Sequence, residues 1–94
     1  MKKKYAKLIV PNDNVVTSVA DIDENDVFNV IIGDREKTFA SNHNVPFGHK
    51  IAIQEIKKGG EIVKYGHVIG IASIDIKVGD WVHIHNVMDN YEVR

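Results

Sequence analysis

The stretch Pro46-Phe47-Gly48-His49-Lys50-Ile51-Ala52-Ile53 and its two successors, Lys64-Tyr65-Gly66-His67-Val68-Ile69-Gly70 and Gly79-Asp80-Trp81-Val82-His83-Ile84-His85-Asn86-Val87, decide the fold. Each sets a short run of apolar, often β-branched residues beside a glycine, as a strand entered or left through a tight turn does. Together they hold four of the five histidines. The expectation is a small β scaffold that presents polar side chains at its edge, and such a set of groups offers part of a site rather than a complete one.

Working outward, no window keeps the i, i+3, i+4, i+7 apolar spacing of a long amphipathic helix, whereas short alternating or β-branched runs recur between turn residues. The chain therefore reads as all-β. Strands are expected at 6–10, 27–32, 37–39, 50–54, 62–63, 67–71 and 81–86, with Gly33-Asp34 turning a hairpin between the second and third. Residues 15–20 fit either a strand or one helical turn capped by Asn14 or Asp13. A weak repeat relates Asp21-Ile22-Asp23-Glu24-Asn25-Asp26-Val27-Phe28 to Asp75-Ile76-Lys77-Val78-Gly79-Asp80-Trp81-Val82, with Ile56-Lys57-Lys58-Gly59-Gly60-Glu61-Ile62-Val63 as a third variant. Each puts Asn or Gly where positive φ lets a chain turn sharply into a strand, which is an architectural signal and not a catalytic one.

The 94 residues, 44% hydrophobic and 27% charged, are expected to form one domain over 1–94. A domain of this size buries roughly 60–70% of its unfolded surface, so its stability is modest without outside help. There is no cysteine, hence neither a disulfide nor a thiolate metal site. Association with a partner remains as a source of stability. A formal net charge of -1 argues against nucleic acid, which calls for a basic face. Lys2, Lys3, Lys4 and Lys7 are the one basic cluster, expected as a solvated, frayed start over residues 1–7. Leu8-Ile9-Val10 is too short for a signal-peptide core or a membrane span, so no membrane role and a cytoplasmic location are expected.

Several side chains in the three blocks could carry chemistry. If 81–86 is one strand, period-two alternation puts Trp81, His83 and His85 on one face and Val82, Ile84 and Asn86 on the other. The two imidazoles then stand roughly 7 Å apart at Cα and could share a divalent metal, with further ligands from elsewhere. The alternative is that they are half-exposed strand residues bonded to neighbours or water. His49 and Lys50 follow a glycine and project to opposite faces, Lys50 suiting an anionic carboxylate or sulfonate and His49 an acid, base or anion contact. Tyr65 either donates its hydroxyl to a ligand or shields the core with its ring. Trp81 reads as a core or interface anchor. The chain has no P-loop, no HExxH and no nucleophile elbow, so the common self-contained enzyme constellations are absent.

At these residues the chain resembles the small SAF domain, a β-clip fold, of the altronate and galactarate dehydratase family, which includes the small subunit of sulfolactate sulfo-lyase. The resemblance runs from about Asn12 to Val87. It rests on Asp13-Asn14-Val15, Pro46-Phe47-Gly48-His49-Lys50-Ile51-Ala52, Gly60-Glu61-Ile62-Val63-Lys64-Tyr65-Gly66, Val68-Ile69-Gly70 and Trp81-Val82-His83-Ile84-His85-Asn86-Val87. It departs at His67, where the family often has glutamate. The resemblance implies a sugar-acid lyase whose catalytic bulk lies in a following domain or in a large subunit, acting on an anionic sugar acid or sulfonate. It implies a divalent metal of the iron or manganese type, held mainly by that partner. Lys50 would then bind the substrate carboxylate, His49, His83 or His85 would serve as acid, base or metal ligand, and Tyr65 and Asn86 would position hydroxyls. An apolar surface meant for the large subunit would drive self-association in its absence. Two other readings stand beside this one: a non-catalytic carbohydrate-binding or assembly module, and an independent metal-binding domain using His83 and His85. Convergence of His49 or Lys50 with His83 and His85 is the feature that favours the enzyme subunit.

Overall fold

In the computed structural model, residues 3–88 are described, and they form eight strands and no helix. They are β1 (Tyr5–Lys7), β2 (Val15–Ser18), β3 (Val27–Ile32), β4 (Arg35–Ala40), β5 (Lys50–Ala52), β6 (Glu61–Lys64), β7 (His67–Ile71) and β8 (Trp81–Val82). Six make one sheet in the order β4-β3-β1-β2-β5-β8, and β6 and β7 pair as a separate hairpin. The β3–β4 hairpin turns at Gly33-Asp34 as expected, with Gly33 at φ 64°. Residues 15–18 are a strand and not a helical turn.

Alternation along the sheet strands separates two cores. Ala6, Val16, Phe28, Val30 and Ile51 meet Ile22, Phe39 and Val45 on one face, while Val15, Ala52 and Val82 meet Ile56, Ile62, Ala72 and Ile76 on the other. Each such fully buried Val, Ile or Phe contributes about 1.5–3 kcal/mol relative to exposure. The hairpin β6–β7 is tied to the sheet by the residues just before β2. The Asn14 amide donates to Glu61 O and its Oδ1 accepts from Val63 N. Asp13, wholly buried, accepts from the backbone N–H groups of Val10, Tyr65 and Gly66.

The repeat has four copies rather than three. Backbone N–H groups of Asp26, His49, Gly60 and Asp80 each donate to the carbonyl three residues earlier, closing four turns whose third residues, Asn25, Gly48, Gly59 and Gly79, all have positive φ. The copies associate in pairs through the bridges Ile22↔Val45 and Ile56↔Ile76, one pair on each core. Asp21 Oδ1 accepts from Phe47 N and Asp75 Oδ1 from Lys58 N, the same contact made once in each pair. At Gly79 the requirement is also steric, because a Cβ there would stand 2.2 Å from Ala40 O.

Two sequence expectations are corrected. The lysine-rich start is not frayed from residue 3 on: β1 lies between β2 and β3, Lys4 O accepts from Asn29 N, and Lys4 Nζ pairs with Asp26 at 2.6 Å. Ladder bonds on both sides outweigh the charge of the lysines, and the amines of Lys3 and Lys4 reach carboxylates. The strand expected over 81–86 ends at Val82. Residues 83–86 form a turn, because the Asn86 side chain accepts from His83 N and donates to Trp81 O and so takes the backbone groups a ladder would use.

Candidate functional site

The site wraps around the β8 edge of the sheet. Gly48, at φ 85°, turns the chain into β5, and His49 and Lys50 then leave on opposite faces. On the first face His49 meets Trp81, which pairs with Ile51 across β5–β8 and packs against the Ile22–Val45 core. The indole Nε1–H donates to His49 Nδ1 at 3.2 Å. The turn after Val82 brings the remaining imidazoles back to the same ring. His83 stacks on Trp81 with centroids 5.1 Å apart and planes 6° from parallel, His85 lies 5.2 Å from the indole, and His49 and His83 are 4.8 Å apart. His83 and His85 thus share Trp81 through a turn and not through strand alternation.

On the opposite face a pocket of about 390 Å³ takes Lys50 and His83 as its polar groups and Ile62, Ile69, Val87 and Met88 among its apolar ones. Lys50 is half-buried, and among the described residues no carboxylate pairs with it. Burial, with the charge of Lys64 acting in the same direction, pushes its amine below the ordinary lysine value. Partial desolvation likewise lowers the His83 imidazole, helped by His49, Lys50 and His85. Both groups lose solvation without gaining a counter-charge, and an anion in the pocket would stabilise the Lys50 ammonium. Thr17 lies opposite Lys50 in the β2–β5 register, hence on the same face. Its hydroxyl is buried and has no hydrogen-bond partner among the described residues.

Of the expected site residues, the fold therefore brings together His49, Lys50, His83 and His85. It does not bring in the other two, Asn86 and Tyr65. Asn86 is buried, with its amide committed to the backbone of the 83–86 turn. Tyr65 is 55% exposed, neither shielding a core nor lining the pocket; Lys64 Nζ sits over its ring at 4.8 Å. His67 is exposed at the start of β7, away from the ring cluster. A residue the sequence did not single out, His43, joins instead: its Nδ1 accepts from Trp81 N at 3.1 Å and its ring lies 6.3 Å from that of His85. Asn42 holds it there by donating to Val78 O and Asp80 Oδ1. As for a metal, among the described residues no three His, Asp or Glu side chains come together in a set that could hold an ion. His83 and His85 make no complete metal site within these residues. No helix among the described residues is long and apolar enough to cross a membrane.

The chain is 38% identical to altronate dehydratase of Bacillus subtilis over 92 residues, 94% of this chain and 17% of that protein. It is 38% identical to altronate dehydratase of Escherichia coli over 78 residues, 83% of this chain and 15% of that protein. The (2R)-sulfolactate sulfo-lyase subunit alpha of Chromohalobacter salexigens is 37% identical over 54 residues, 57% of each chain. The chain thus spans a small fraction of the dehydratases and over half of the sulfo-lyase subunit. The family model of the altronate/galactarate dehydratase SAF domain matches residues 4–90. With a match over nearly its whole length, the chain belongs to the SAF domain family of the altronate and galactarate dehydratases.

Proposed function

We propose that this chain is a non-autonomous part of a carbon–oxygen lyase of the altronate or galactarate dehydratase type, or of a related sulfolactate sulfo-lyase, and supplies one wall of an active site completed by a large catalytic subunit. The observation that carries this reading is the convergence at the β8 edge: Lys50 and His83 line one pocket while His49 and His85 pack with His83 around Trp81. An assembly module has no need of that convergence.

Eliminating water from a hydroxy acid requires removal of a weakly acidic proton beside the carboxylate, stabilisation of the enediolate that forms, and protonation of the departing hydroxyl. The Lys50 ammonium is suited to the carboxylate, and its attraction for that anion strengthens as water leaves the half-buried site. A lowered imidazole such as His83 is in its free-base form at neutrality and is suited to accept the proton. A divalent ion, held mainly by the large subunit, would stabilise the enediolate when bound. The apolar rim, with Ile84 78% exposed and Met88 40% exposed, suits contact with that subunit.

The test is to recover the tagged chain under gentle conditions, identify stoichiometric companions by mass spectrometry, and assay lyase activity on altronate, galactarate and sulfolactate with and without them. A larger companion that confers turnover only in the presence of this chain is the expected result. Recovery of the chain alone, or full turnover by the companion without it, overturns the reading.

A further inference from the structure

Trp81 spends both of its N–H groups on histidines. The backbone N–H donates to Nδ1 of His43 at 3.1 Å and the indole Nε1–H to Nδ1 of His49 at 3.2 Å. A ring nitrogen that accepts a hydrogen bond carries no proton, and a neutral imidazole then holds its single proton on the other nitrogen. We propose that Trp81 is a positioning residue that fixes His43 and His49 as Nε2–H tautomers, so that both are hydrogen-bond donors at Nε2 and proton uptake within the ring cluster falls to His83 or His85.

Taking up a proton, or an ion, at Nε2 requires a lone pair there. In either ring that lone pair appears only when the proton moves to Nδ1, which turns the acceptor of the Trp81 bond into a second donor facing an N–H. For His49 the loss is greater, because the ring is half-buried and held against the indole at 5.7 Å and against His83 at 4.8 Å. His83 and His85 are under no such constraint: among the described residues their ring nitrogens have no hydrogen-bond partner. The four imidazoles around one tryptophan therefore divide into two kinds, a fixed pair of donors and a free pair able to accept. A fixed neutral N–H suits an enediolate or carboxylate oxygen, because it stabilises developing negative charge without reorganising. The division of labour between acid and base rests on the lyase reading above; the tautomers themselves do not.

The test is long-range ¹H–¹⁵N correlation NMR of the imidazoles in the full chain, at a pH well above the ordinary imidazole range. His43 and His49 should each show one protonated Nε2 and one unprotonated Nδ1, whereas His83 and His85 should give averaged tautomer shifts. W81F removes the indole donor and keeps the backbone N–H, so His49 should relax to averaged shifts while His43 keeps its pattern. An averaged or Nδ1–H His49 in the unaltered chain overturns the proposal without recourse to any variant, as does a His49 unmoved by W81F. In the reconstituted lyase, H49Q keeps a donor but no base and should retain turnover to within about tenfold, while the more damaging of H83Q and H85Q should lose at least ~100-fold. A loss in H49Q as large as theirs overturns the assignment of roles. Absence of lyase activity in the unaltered complex sinks the proposed function and leaves the NMR result to decide the tautomers.

Discussion

Asp13 and Thr17 are four residues apart, one just before β2 and the other within it, and the fold treats them oppositely. The Asp13 carboxylate is fully buried and takes three backbone N–H groups, two of them from the Tyr65-Gly66 turn more than fifty residues away. The Thr17 hydroxyl is buried beside Lys50, and neither side chain has a protein partner among the described residues. Where polar capacity is fully used, the chain is being held in shape: Asp13 fixes the hairpin that closes the second core. Where capacity is left over in a half-buried place, a folding explanation is lacking and a ligand is the economical one.

The strongest way to break this contrast is to remove the clamp. D13A leaves three backbone donors without their acceptor and should cost on the order of 3–5 kcal/mol in urea unfolding, enough to threaten a domain of this size. D13N should be almost as damaging, because an amide of the same shape turns N–H groups towards N–H groups; a cost below about 1 kcal/mol would show that the carboxylate is not what holds the turn. At the other pole, K50M should leave unfolding free energy unchanged or slightly raised while lowering turnover of the reconstituted lyase by ~100-fold, or about 2.7 kcal/mol in transition-state terms. A variant that loses stability and keeps turnover would reverse the roles of the two regions.

The sequence made these two regions legible to different degrees. His49 and Lys50 stood out because a glycine followed by two polar residues and an apolar run is a local pattern, and its consequence, opposite faces, is local too. Asp13 was visible only as a possible helix cap and as part of a family motif, since two of the groups it binds lie on another hairpin. The same distance hid His43, which lies in a polar loop that Asn42 ties to Val78 and Asp80, beside Trp81. It also hid the fourth copy of the repeat, whose Pro46-Phe47-Gly48 shares geometry with the other three but little composition. Trp81-Val82-His83-Ile84-His85-Asn86 misled because alternation is a sign of a strand and not a sufficient one. Asn86 reaching back to His83 N and Trp81 O decides the matter.

Acid–base linkage sharpens the comparison on the Lys50 side. Its folded value is lowered by burial and by Lys64, so between that value and the ordinary lysine pKa near 10.5 the unfolded chain binds more protons than the folded one. Stability contributed by this group must therefore rise with pH across that window and be flat below it. Unfolding free energies of the unaltered chain and K50M, compared from neutral to alkaline pH, should diverge there, with the upward slope present only when Lys50 is. An oxyanion such as sulfate, if held by Lys50, should raise the amine's pKa in NMR titration and shrink the window.

The smallest effect tests the spare hydroxyl itself. Valine has nearly the shape of threonine and no polar atom to leave unpaired, so T17V should stabilise the chain by about 1 kcal/mol, whereas T17S, which keeps the hydroxyl and loses a methyl, should not. A gain in stability from removing a polar group is the mark of a residue kept for something other than folding. If T17V instead lowers the unfolding free energy, the hydroxyl is bonded in solution, β2 is as saturated at Thr17 as the chain is at Asp13, and the contrast rests on Lys50 alone.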